Sequence, residues 1–254
     1  MTASCQHREA KFAQHQINQR TRASQHAFIV SFRFRASIKS AKSELLWGLR
    51  LDNTCRIANA LYNSGCLKFG NFRIKSGALS PYYIDLAHLL ASPRDFCSLV
   101  DVAVTEMEKL TSKQKIAKLA SIELKGALIL PSIGCRLNLP CIIVRKEEKT
   151  YGATGRTAGA DVVKGENVLF FDDVVSEGLS KLEGIKPLQD LGARVETIVV
   201  VVDREQGGKE NLEKHGLRVH ALAKISDLVA SLLRSKHISE ERASQVLKYI
   251  KRTP

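Results

Sequence analysis

Two stretches of the chain, Val168-Leu-Phe-Phe171 and Ile198-Val-Val-Val-Val202, are apolar at every position rather than at alternate ones. Side chains alternate between the two faces of a strand, so such a strand must be covered on both. That requirement selects an α/β fold, a mostly parallel central sheet flanked by helices. Further strands are expected at Phe69–Ile74, Tyr82–Leu86, Ile116–Ile122, Cys141–Arg145 and Arg218–Leu222, with the two apolar runs as Val168–Phe171 and Thr197–Val202. Helices are expected at 52–67, Pro93–Leu110, Ala127–Asn138, Ser180–Leu191, Lys209–His215 and, amphipathic at the end of the chain, Ser239–Lys251. The second opens with Ser92 as its cap and Pro93 at the first helical position, where a missing N–H costs nothing. There is no internal repeat.

Charge and cysteine usage narrow the class of function. The net charge is +13, but nine Lys/Arg against two Glu in residues 1–50 leave the remainder at +6. A moderately basic body suits an enzyme that gathers polyphosphate substrates. It speaks against a nucleic-acid binder, because basic clusters with interleaved aromatics are missing from that body. The six cysteines are scattered without a C-x-x-C pair, which argues against a metal cage or disulfide framework and for a reducing cytoplasm. No run of about 18 apolar residues is present, so no membrane span is expected. Residues 1–50 are rich in Gln, His, Arg and Ser, with one apolar-aromatic patch at Ala27–Phe34. They read either as a targeting presequence or as a poorly ordered extension, such as an upstream start codon produces.

The chemistry concentrates where the strand Val168–Phe171 ends. Asp172 and Asp173 follow it, then Val174, Val175 and a small-residue loop, Ser176-Glu177-Gly178-Leu179-Ser180, that opens a helix. Backbone N–H groups and a helix N-terminus at the carboxyl end of a parallel strand form a ready anion site. The two acids suit sugar hydroxyls, so a phosphorylated sugar satisfies both halves. The plainer alternative is a strand that ends in solvated acids before a capped helix.

Val168–Ser180 resembles the ribose-phosphate signature of the type I phosphoribosyltransferases. Three further segments resemble the orotate phosphoribosyltransferases in particular, in an archaeal-like variant. They are Phe69–Asp85 with Lys75-Ser-Gly-Ala-Leu-Ser-Pro-Tyr-Tyr83-Ile84, Cys141–Gly152 with Arg145-Lys146-Glu-Glu-Lys149, and Val202–Gly208 with Asp203-Arg204-Glu-Gln. The match runs from about residue 51 to about residue 230, with the motifs in order.

The resemblance implies a phosphoribosyltransferase domain over 51–254, with a small hood mainly over 51–90. It implies transfer of phosphoribose from phosphoribosyl diphosphate to orotate, with release of diphosphate, as a step of UMP biosynthesis. Asp172 and Asp173 would hold the ribose hydroxyls, and Val174–Ser180 the 5′-phosphate. Glu123-Leu-Lys125-Gly126 and Arg145 would hold the diphosphate. Lys146 and Lys149 would reach across a homodimer interface into the neighbouring site. Lys75, Tyr83, Ile84, Ser176 and Arg204 would line the orotate pocket. Mg²⁺ would be carried mainly by the substrate diphosphate, without a direct protein ligand. Lys149–Gly159 would form the lid that excludes water.

The chain departs from the family pattern at three places. The phosphate loop carries Glu177 and serines where threonines are usual. Tyr151 stands where the lid usually has His, and Glu123 stands where the diphosphate loop is usually small or apolar. Two other readings remain open at this level. One is transfer to another base, which predicts no cations over a carboxylate. The other is a non-catalytic sensor of phosphoribosyl diphosphate that binds nucleic acid through residues 1–50.

Overall fold

The computed structural model describes residues 53–74, 77–149 and 155–252. The expectations for residues 1–50, for Lys75 and for Tyr151 lie outside the described residues.

A helix over residues 53–63 (α1) leads into an antiparallel pair, β1 (Leu67–Arg73) and β2 (Leu79–Ile84). The strand expected at Tyr82–Leu86 begins three residues earlier and ends at Ile84, and a 3-10 turn follows at Leu86–Ala91, whose N-cap Asp85 accepts the Ala87 N–H. Helix α2 (Pro93–Thr111) starts at the expected place, but the Ser92 hydroxyl donates to the Asp95 carboxylate rather than capping a backbone N–H. The chain then alternates through β3 (Lys118–Ile122), α3 (Lys125–Leu137), β4 (Cys141–Lys149) and β5 (Gly155–Gly159). It continues with β6 (Asn167–Val175), α4 (Leu179–Asp190), β7 (Arg194–Asp203), α5 (Gly208–Lys214) and β8 (Arg218–Lys224). Helices α6 (Ile225–Arg234) and α7 (Glu240–Arg252) complete it.

Six strands form one sheet in the order β5-β4-β3-β6-β7-β8, parallel except for the edge strand β5. The continuous apolar runs are buried on both faces as expected. Leu169, Phe171, Val199 and Val201 pack with residues of α1, α2, α3, α6 and α7. Phe170, Ile198 and Val200 pack on the other side with Ile185, Leu188 and Leu212 of α4 and α5. Among the described residues no helix is long and apolar enough to cross a membrane.

Two further elements differ from expectation. Helix α6 was not anticipated, although Ile225, Leu228, Val229 and Leu232 follow the i, i+3, i+4, i+7 spacing of a buried helix face. Part of the segment read as a lid, Gly155–Gly159, is a strand paired with β4.

Strand order locates the crevice. Neighbours β3 and β6 are separated in sequence by α3, β4 and β5, so the chain leaves this pair in opposite directions. Ligands of open α/β sheets bind outside the carboxyl ends of strands at such a switch point. Here those ends carry Ser121–Lys125 and Asp172–Ser180, with Asp203–Gly207 on the adjacent β7.

Candidate active site

Strand β6 carries the acid pair to its end and buries it: Asp172 is 4% exposed and Asp173 8%. Asp172 Oδ1 accepts the N–H of Asp173 at 2.9 Å, and Asp173 Oδ1 accepts the N–H of Val174 at 2.7 Å. Lys181, in the first turn of α4, places Nζ 2.6 Å from Asp172 Oδ2 and 3.8 Å from Asp173 Oδ1. Burial pushes the Asp172 carboxyl up to about 6, against the opposing pull of Lys181. The start of α3 abuts the same carboxylate. A Cβ on Gly126 would lie 2.4 Å from Asp172 Oδ1 and 2.5 Å from Ser121 Oγ, so only glycine fits there.

The loop after the acids is held from below. Gly178, at φ +88, opens α4 in the left-handed region, and a Cβ there would meet Leu212 of α5 at 2.9 Å. A Cβ on Gly208 would strike the Ser176 carbonyl at 2.2 Å. Asn211 donates to the Glu177 carbonyl, and the Glu177 side chain is exposed, the orientation a carboxylate beside a phosphate loop requires. Ser176 is half-buried, Val175 is buried, Val174 is half-buried, and Leu179 and Ser180 are exposed at the mouth. Together the loop and the start of α4 form a cradle for an anion.

Arg204 joins this cradle through its backbone, whose N–H donates to the Val175 carbonyl at 2.9 Å. Its side chain donates from Nε to the Tyr82 hydroxyl at 3.2 Å, and its guanidinium lies 5.0 Å from the Tyr82 ring centroid. Tyr82 is fully buried, with Tyr249 of α7 against its edge. Burial raises the Tyr82 phenol above its usual range, with Arg204 opposing. Of the two β2 residues expected at a base pocket, Tyr83 is 40% exposed and faces Phe72, whereas Ile84 packs into the core. Next to them, Lys125 Nζ pairs with Asp85 at 3.3 Å and lies 5.8 Å from the Tyr83 ring, tying α3 to β2.

The β4 arm is built differently. Arg145 donates to the carbonyls of Gly155 and Thr157, and Arg156 donates back to the carbonyls of Arg145 and Lys146. The guanidinium expected at a diphosphate thus secures the β4–β5 hairpin here. Glu123 has a structural use, since its Oε1 accepts the Lys146 N–H at 2.9 Å. The Lys146 side chain is exposed. Lys149 ends β4 opposite Gly155, and its side chain lies outside the described residues.

Sequence reasoning missed two participants. Tyr82 was legible from the alternation of β2, where Ser80, Tyr82 and Ile84 point inward. Lys181 carried no signal, because a lysine in a first helical turn ordinarily reads as solvated.

No protein-family model matches the chain. An orotate phosphoribosyltransferase of Pyrococcus horikoshii is 38% identical over 172 residues, which is 68% of this chain and 91% of that protein. The structure of Leishmania donovani UMP synthase superposes with a TM-score of 0.69 at 32% identity, covering 78% of this chain and 42% of that one. Orotate phosphoribosyltransferase from Aeropyrum pernix superposes with a TM-score of 0.60 at 27% identity, covering 72% of this chain and 99% of that one. With the acid pair, the anion cradle and the Arg204 segment in one crevice, the chain belongs to the orotate phosphoribosyltransferase family.

Proposed function

We propose that the protein transfers the phosphoribosyl group of phosphoribosyl diphosphate to orotate, forming orotidine 5′-monophosphate and diphosphate in UMP biosynthesis. The observation that supports this is the backbone bond from Arg204 to Val175, which brings the Arg204 residue, the candidate partner of the orotate carboxylate, beside the anion cradle. The family membership supports it independently.

In this reading Val174–Ser180 grip the 5′-phosphate through backbone N–H groups and the α4 N-terminus, and the acid pair Asp172–Asp173 as a unit serves the ribose hydroxyls. Orotate lies between Tyr83 and Arg204, with Ser176, the Ile84 segment and Lys75 completing its pocket. The bond from C1′ to diphosphate breaks as the bond from C1′ to orotate N1 forms, with inversion at C1′. Positive charge builds on the sugar ring and negative charge on the departing diphosphate. Lys125 and Lys146 act on the diphosphate, and Lys149 adds a contact that strengthens as it leaves. Lys146 and Lys149 act across the interface of a homodimer.

Among the described residues no group of three or more His, Cys, Asp or Glu stands ready for a metal. Mg²⁺ keeps several waters and enters phosphoryl sites on substrate phosphates. Bound to the diphosphate, it supplies neutralisation of the leaving group's charge. The domain spans 51–254, with 51–90 as the hood over the base, and residues 1–50 precede it as an extension. The free thiols Cys55, Cys66, Cys97, Cys135 and Cys141 support a cytoplasmic setting.

The test is the loss of orotate absorbance when phosphoribosyl diphosphate and Mg²⁺ are added to purified protein, with uracil and hypoxanthine in parallel. Turnover of orotate alone is expected. Turnover of uracil or hypoxanthine without orotate overturns the proposal.

A further inference from the structure

Lys181 is the most anomalous residue of the site. It is 5% exposed and stands in the first turn of α4. The partial positive charge of a helix N-terminus disfavours a cation there, and burial adds a desolvation penalty. A buried ion pair is often no more stabilising than an apolar pair of the same volume, so stability alone does not account for it. Its contacts point to a use. Nζ reaches Asp172 Oδ2, approaches Asp173 Oδ1 and lies 3.4 Å from Ser180 Oγ. Asp172 is thereby closed on both sides, with Oδ2 held by Lys181 and Oδ1 accepting the Asp173 N–H. Asp173 Oδ1 takes the Val174 N–H, and Asp173 Oδ2 has no hydrogen-bond partner among the described residues.

We infer that Lys181 is a positioning residue of the sugar site: it clamps Asp172 as a carboxylate that orients Asp173, and Asp173 alone presents an open oxygen to the ribose hydroxyls. The two acids thus divide the work that the family resemblance assigns to both. The groups facing the pair are Asp173 and Ser180, the Ser121 hydroxyl from β3 and the backbone of Gly126 at the start of α3. Lys181 is the cation that keeps Asp172 ionised at neutral pH, since burial and Asp173 both push the other way.

The inference rests on phosphoribosyl diphosphate as the ligand, and binding tests it separately from turnover. Affinity for phosphoribosyl diphosphate is measured by titration calorimetry from about pH 5 to about pH 9 on the full chain, Lys181→Gln, Lys181→Arg, Asp172→Asn and Asp173→Asn. The ligand's own phosphates titrate alike in every variant, so differences belong to the protein. Lys181→Gln should bind about tenfold more weakly near pH 7 and recover as pH rises, because its Asp172 ionises later. Lys181→Arg should keep the wild-type profile, and Asp173→Asn should lose more affinity than Asp172→Asn. A Lys181→Gln profile parallel to wild type overturns the inference, as does a larger loss from Asp172→Asn than from Asp173→Asn. Should Lys181→Gln fail to fold, Asp172→Asn decides: it should lose the protein's pH dependence near 6, and keeping it overturns the inference. Tight binding with these shifts but no turnover of orotate would fault the proposed reaction and leave the role of Lys181 standing.

Discussion

The end of β6 and the end of β4 both carry charge, but they hold it in opposite ways. At β6 the ionic groups are buried and mutually paired: Asp172, Asp173 and Lys181 are each less than a tenth exposed. At β4 the residues Lys146, Glu147 and Glu148 are exposed, and one of the strand's two partners is a five-residue edge strand. Buried pairs are expensive to assemble and cannot reorganise cheaply, so they suit a part of the substrate that is held in one position throughout. Exposed cations are screened by water and contribute little until something covers them. Such groups suit a leaving group whose charge grows only as the bond breaks, because closure then spends their energy on the transition state.

The largest effect that would break this contrast is on the arm. Lys149→Ala should lower kcat by about a hundredfold to a thousandfold while phosphoribosyl diphosphate binding changes little. Steady-state kinetics beside direct binding measures both, and an equal loss confined to binding would remove Lys149 from the transition state. Mixing this variant with an Asp172→Ala, Asp173→Ala protein should restore activity that neither has alone, if arm and acid pair come from different subunits.

Next in size is Arg204→Ala, which removes a charged hydrogen bond from the buried Tyr82 and the proposed partner of the orotate carboxylate. The KM for orotate should rise by about tenfold to a hundredfold, with the KM for phosphoribosyl diphosphate much less affected. A matched pair of glycine variants then compares the two regions directly. Gly126→Ala drives a Cβ into Asp172, with its Cα 2.8 Å away, and should cost about 1–3 kcal/mol in a denaturant titration. Gly155→Ala meets nothing within 4 Å and carries only the strain of φ +93, about 1 kcal/mol. Equal costs would show that the β6 end is as yielding as the arm.

The last effect is on pH-dependent stability. Asp172 titrates at about 6 in the folded chain against 3.8 as its ordinary value. Its folded state holds the proton more tightly, so the stability from this group is complete below about pH 4 and is lost as pH rises through about 6. The melting temperature of wild type relative to Asp172→Asn should therefore fall across that interval and be level above it.

How far the chain could be read depended on whether a residue's meaning was local. The two-sided sheet, the phosphate loop and the order of the motifs were all visible, because burial on both faces and a helix start are written in consecutive residues. Ser92 before Pro93 marked the start of α2 correctly, yet the hydroxyl found Asp95 instead of the backbone, a choice between two nearby acceptors that spacing does not make. Glu123 looked misplaced beside a diphosphate until its carboxylate was seen to accept the Lys146 N–H, 23 positions away. Helix α6 was legible in Ile225, Leu228, Val229 and Leu232 and simply went unread.

By itself, then, the sequence determined the fold class, the family and the residues that meet at the carboxyl ends of the strands, because hydrophobic period and loop chemistry are short-range properties. Tertiary structure decided which charges face each other. Lys181 neighbours Asp172 only because α4 turns back over β6, Arg145 faces Gly155 only because β5 pairs with β4, and Tyr82 meets Arg204 across 122 positions. Electrostatic roles depend on distance and burial, and neither exists until the chain is folded.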